Sequence, residues 1–96
     1  MGSYKLSPIA VEDLTRIYFY GLSHFGKIQA DKYYNNLFDQ FERIAKNPYL
    51  FPAVDEIKNG YRKSVCGVDS IYYKIESDYV IITNIIGRQN IDSILK

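Results

Sequence analysis

Hydrophobic and polar positions alternate along this chain with two different periods. Between Leu14 and Phe25 the apolar positions Leu14, Ile17, Tyr18, Gly21, Leu22 and Phe25 recur every three or four residues, the spacing of an amphipathic helix. Ser7 precedes that stripe with a capping hydroxyl, and Pro8 stands where a helix tolerates proline best. Glu12 and Asp13 fall in the early turns, where the helix dipole favours acids. Gly26 is the expected stop. A second helix is predicted from about Ile28, with Ala30, Tyr34, Leu37, Phe41, Ile44 and Ala45 on one side and Asp31, Asn35, Asp39 and Lys46 on the other. Asn47-Pro48 ends it. So short a break between two such helices implies an antiparallel hairpin.

The period then changes. After the loop "PYLFPAVDEIKNG", the segments Tyr61–Val65, Ser70–Glu76 and Tyr79–Ile86 read as strands, and "YKLS" reads as a short strand ahead of the first helix. In "SIYYKIE", Ile71, Tyr73 and Ile75 alternate with Tyr72 and Lys74, so one of these sets should face outward. "YVIITNII" is apolar on both faces, as in a central strand. Ser77-Asp78 forms the two-residue turn of a hairpin. The predicted order is β-α-α-β-β-β: an α+β fold in which an antiparallel sheet packs against a helical hairpin, one domain over residues 1–96.

Four aromatics, Phe19, Tyr20, Tyr33 and Phe38, fit neither helical stripe. Either the hairpin packs on more than one side, or these rings line an apolar groove for a partner. Composition narrows the classes. Apolar residues make up 47% of the chain, which excludes a disordered polypeptide, and twelve basic residues against eleven acidic ones leave a net charge of +1. That balance argues against direct nucleic-acid binding by the chain alone. Apolar runs are too short to span a bilayer, so no membrane association is expected. No secretory signal is recognised, and the single cysteine, Cys66, fits a reducing cytosol.

Candidate chemistry is sparse. Phosphate-binding, hydrolase and metal-binding motifs are missing, and neither a metal nor an organic cofactor is expected. The one histidine, His24, sits near a helix end, where the dipole accounts for it. Cys66 has no second histidine to serve as its base. Asp55 and Glu56 are expected to pair with Arg62 or Arg88.

The segments "GKIQADKYY", "NPYLFP", "DEIKNGYRKS", "IYYKIE" and "IIGRQN", in this order and spacing, resemble ParE toxins of the RelE/ParE superfamily. The resemblance runs from Tyr4 to the end. It implies the toxin half of a bacterial type II toxin–antitoxin module, silenced by a ParD-like antitoxin whose C-terminal segment lies on the helical hairpin and sheet. ParE-like members poison DNA gyrase, whereas RelE-like members cut messenger RNA on the ribosome. The nuclease branch needs several basic groups and a late tyrosine on one sheet face. Here Arg88 matches the arginine after the last strand, Ser70 stands near the position of the other nuclease arginine, and "IDSILK" has no tyrosine. Expectation therefore favours a gyrase poison that is not an enzyme. The alternatives are a ribosome-dependent nuclease and a non-toxic module that only holds its antitoxin. Candidate target or antitoxin contacts are Arg62, Lys63, Tyr72, Lys74, Arg88 and Asn90, and Phe19, Tyr20, Tyr33 and Phe38 are the groove candidates.

Overall fold

The computed structural model describes residues 2–87. Arg88, Asn90 and the remainder of the tail lie outside the described residues, so the expectations placed on them are not addressed by the fold. The elements are β1 (Tyr4–Leu6), α1 (Pro8–Phe25), α2 (Lys27–Lys46), β2 (Arg62–Cys66), β3 (Asp69–Ile75) and β4 (Val80–Gly87). Every element stands within a residue or two of its sequence-based position. Ser7 caps α1 by accepting the Ala10 N–H at 3.0 Å, with Pro8 following as expected. Gly26, at φ 87°, ends α1 and starts α2 in a conformation that L side chains rarely adopt, which makes the tight hairpin possible.

The sheet order is β1-β4-β3-β2. β2, β3 and β4 are antiparallel, but β1 pairs with β4 in parallel, Tyr4 opposite Val80. The sheet is thus mixed and not wholly antiparallel. Short turns dictate direction only between β2, β3 and β4. β1 is joined to its neighbour by no turn at all, so its direction was not encoded in a local signal.

A bulge between the pairs Tyr72–Asn84 and Tyr73–Ile82 leaves Thr83 extra in β4. It shifts the side-chain phase. Val80 and Ile82 face the helices before it, and Ile85 does so after it, leaving Ile86 for the opposite face. The main core joins Leu14 and Ile17 of α1, Leu37, Phe41 and Ile44 of α2, and Ile71, Tyr73, Val80, Ile82 and Ile85 of the sheet. A smaller cluster of Val54, Tyr72 and Ile86, flanked by Tyr61, covers part of the other face.

β1 stops before β4 does, and α1 seals the remainder of that edge. The Ser7 hydroxyl donates to Thr83 O at 2.8 Å, Asp13 Oδ2 accepts the Ile85 N–H at 2.9 Å, and Arg16 Nη2 donates to Ile85 O at 3.2 Å. Asp13 therefore acts on a strand edge rather than on the helix dipole, because a half-buried peptide N–H without an acceptor costs more than the dipole contributes.

Tyr73 ties the end of α2 to the sheet. Its hydroxyl, fully buried, donates to Pro48 O at 2.6 Å, and burial pushes its phenol up to about 12. In the unfolded chain a tyrosine titrates at 10.0, so above that pH the unfolded state releases a proton that the folded state keeps. Stability is expected to hold up to pH 10 and to fall between pH 10 and 12, by roughly 2–3 kcal/mol from this residue. Tyr33, raised by burial and by Asp69, acts in the same direction. Urea midpoints of the parent and of Tyr73→Phe, measured across that range, check this: the variant's midpoint should fall less steeply.

Candidate functional site

The helical hairpin carries a continuous row of aromatic rings. Phe19 and Tyr18 of α1 lie 6.1 Å apart between ring centroids, Tyr18 and Tyr34 5.3 Å, Tyr34 and Phe38 4.9 Å, Phe38 and Phe41 5.2 Å, and Phe41 and Tyr4 5.5 Å. The row starts on the exposed side of α1, crosses α2 at positions i, i+4 and i+7, and ends on β1 at the sheet edge. Phe19 is 60% exposed, Tyr18, Tyr34, Phe38 and Tyr4 are half-buried, and Phe41 is fully buried. Tilted and edge-on ring contacts of this kind stabilise by about 0.5–1.5 kcal/mol each beyond area burial. Neighbouring rings thus support one another from the exposed Phe19 to the buried Phe41.

Of the four groove candidates, Phe19 and Phe38 belong to this row. Tyr20 belongs to a separate group at the hairpin tip, stacked on His24 at 3.9 Å and near Phe25 at 6.4 Å. Phe25 is exposed at the last turn of α1, although its spacing placed it on the buried stripe. His24 Nδ1 donates to Tyr20 O at 2.9 Å, within its own helix turn. Tyr33 points the other way. Its hydroxyl donates to Asp69 Oδ2 at 2.7 Å, with Cys66 O 2.9 Å away, bracing the β2–β3 turn. Cys66 is half-buried, and burial, followed by the Asp69 charge, raises its thiol, the reverse of what a nucleophile requires.

A cleft of about 370 Å³ opens at the head of the row, lined by Thr15, Tyr18, Phe19, Asp31 and Tyr34. Tyr18 donates its hydroxyl to Asp31 Oδ1, and Lys27 Nζ donates to Asp31 Oδ2 at 2.6 Å. These bonds, the Lys27 one foremost, hold the Asp31 carboxyl below the usual carboxylate range. Sequence reading missed this cleft because Tyr18 and Tyr34 fitted the buried stripes and Asp31 the polar face. The Tyr18–Asp31 pairing crosses from one helix to the other, and spacing within a single helix carries no sign of it.

The sheet candidates separate. Lys63 lies directly opposite Tyr72 in the β2–β3 register, and Lys74 follows Tyr72 by two on the same strand, so the three share the face turned from the helices. Tyr72 is fully buried there against Val54, Ile86 and Tyr61, so it is no surface contact in this structure; burial raises its phenol. Its hydroxyl has no hydrogen-bond partner among the described residues. Lys74 and Lys58 both stand over the Tyr61 ring, at 5.7 and 5.2 Å. Arg62 faces the other side. Its Nη1 donates to Phe51 O at 2.7 Å and its guanidinium lies 5.1 Å above Tyr49, so it clamps the loop between α2 and β2. The expected pairing of Asp55 with Arg62 does not form; Asp55 Oδ1 accepts the Gly60 N–H at 2.8 Å and closes the loop's own turn. Among the described residues no cluster suited to a metal ion occurs, and no helix is long and apolar enough to cross a membrane.

A two-helix hairpin packed on a four-stranded mixed sheet defines a small α+β domain. Residues 4–96 match the model of the ParE toxin of the type II toxin–antitoxin system, parDE, and the chain belongs to that family. It is 33% identical over 89 residues to a Toxin ParE1 of Mycobacterium tuberculosis, covering 93% of this chain and 91% of that one. It is 31% identical over 75 residues to Toxin ParE1 of Caulobacter vibrioides, covering 78% of each. The fold matches a chain of the chromosomal ParDE system from P. aeruginosa with a TM-score of 0.80 at 19% identity, covering 91% of this chain and 96% of that one.

Proposed function

We propose that this toxin acts in the bacterial cytoplasm by poisoning DNA gyrase, without catalysing a reaction and without a cofactor, and that a ParD-like antitoxin neutralises it along the aromatic row. One observation carries the preference over messenger-RNA cleavage. Ser70, near the position where a RelE-like nuclease carries an arginine, is only 4% exposed, and Tyr72 on the same face is fully buried with a raised phenol. Ribose attack on a phosphate needs accessible groups that take and give protons and offset charge. Lys63 and Lys74 share that face and supply positive charge to it.

Pure toxin should inhibit gyrase supercoiling, and primer extension on actively translated transcripts should show no toxin-dependent cuts. Codon-positioned cuts at nanomolar toxin would move the protein to the nuclease branch. Loss of neither activity on addition of toxin, with antitoxin binding retained, would leave a module that only holds its antitoxin.

A further inference from the structure

The cleft at the head of the aromatic row has a chemistry of its own. Three rings, Tyr18, Phe19 and Tyr34, stand around one carboxylate, Asp31, in a space of about 370 Å³. Aromatic faces and an anion together favour a cation. A purely apolar anchor would take water from the Asp31 carboxylate and leave it only the Tyr18 hydroxyl and the exposed Lys27 ammonium as partners, which is unfavourable. We infer that this cleft recognises one basic side chain, arginine or lysine, presented by the antitoxin segment, an assignment that rests on the reading that the antitoxin lies along the row.

The cation now beside Asp31 bonds it at 2.6 Å but from an exposed position, so another cation can replace it. Lys27 is the first residue of α2, where the helix dipole disfavours a positive charge. It precedes Asp31 by four residues, the less favourable order for a helical ion pair. Its side chain is 76% exposed, so releasing it to water costs little. Asp31 Oδ1 stays fixed by the Tyr18 hydroxyl while Oδ2 exchanges one cation for another. An incoming arginine is the better occupant, because its flat guanidinium stacks on a ring while it bonds the carboxylate. The other nearby cation on α1, Arg16, is engaged with Asp13 and Ile85 O and does not compete.

The test uses the full chain and a single-side-chain probe, N-acetyl-arginine amide, with N-acetyl-citrulline amide as its neutral counterpart, followed by NMR of the tyrosine ring signals. The arginine derivative should shift the Tyr18 and Tyr34 signals with a dissociation constant on the order of 10 mM, and the citrulline derivative should bind at least about fivefold more weakly. Asp31→Asn should weaken the arginine derivative about fivefold, and Lys27→Ala should tighten it roughly twofold by removing the competitor. Lys27 is 76% exposed, and asparagine at position 31 keeps an acceptor for the Tyr18 hydroxyl, so both variants should remain folded, as thermal melts would show. Equal binding of the two derivatives, or an Asp31→Asn variant that binds like the parent, would overturn the assignment. The cognate antitoxin should in turn bind Asp31→Asn about tenfold more weakly than the parent, and equal affinity would overturn the antitoxin as the source of the cation. A parent that binds the arginine derivative and the antitoxin but leaves gyrase unaffected would instead refute the proposed target and leave the cleft supported.

Discussion

Phe41→Ala is expected to remove about 3–5 kcal/mol of stability, the usual cost of emptying the space of a buried phenylalanine. Phe41 is fully buried, contacts the rings of Tyr4 and Phe38, and sits in the main core between α2 and the sheet. A domain of this size holds only about 5–15 kcal/mol in total, so the variant should be folded marginally or not at all at 37 °C. The effect should decline outward along the row. Phe38→Ala, half-buried, should cost about 1–2 kcal/mol, and Phe19→Ala, mostly exposed, less than about 0.5 kcal/mol. Urea unfolding of the three variants gives the ranking. If Phe19→Ala were as destabilising as Phe41→Ala, the exposed head of the row would be part of the core and not a free surface.

The second large effect is expected at Gly67. Its φ is 59°, and a Cβ there would fall 2.6 Å from Cε1 of Tyr33. The left-handed backbone alone costs a non-glycine residue about 1–2 kcal/mol. The displaced ring must also give up its bond to Asp69 and its place beside Cys66 O, so Gly67→Ala should lose about 2–4 kcal/mol, or roughly 10–20 °C in Tm. In the Tyr33→Ala background the same substitution should cost only its backbone share, because no ring remains to be displaced. Thermal melts of the two single variants and the double variant measure that coupling. Strict additivity would show that the ring moves aside without loss.

These two residues also mark where sequence reading stops. The helices, their caps, the Ser77-Asp78 turn and the central place of "YVIITNII" were legible because each is a local pattern: a period, a capping hydroxyl, a two-residue turn. Tyr33 was legible only as an aromatic off the stripe. That it braces a turn more than thirty residues away follows from how α2 lies over β2 and β3, which no local pattern encodes. Tyr72 was misjudged for a related reason. Strand alternation put it correctly on the face opposite Ile71 and Tyr73, but Val54 from the preceding loop folds over that face and buries it. The parallel placement of β1 was likewise invisible, since its partner is remote. For the candidate site, the rings were recognised in part and the Tyr18–Asp31 link was not. The tail from Arg88 onward remains a sequence-based expectation.

The pairing of Tyr4 with Val80 has a consequence for synthesis. β4 is the strand that both β1 and β3 require, and it is the last described strand to leave the ribosome. Until it emerges, the nascent chain can form its two helices and the β2–β3 hairpin, but β1 has nothing to join and the apolar side of α1 has no Ile82 or Ile85 to cover. Closing contacts so distant in sequence is slow, and the exposed surface persists meanwhile. The described fold therefore closes only once β4 has been made. The end of the aromatic row where Tyr4 meets Phe41 comes into being with it, so a partner that reads that end meets the closed fold and not its open precursor.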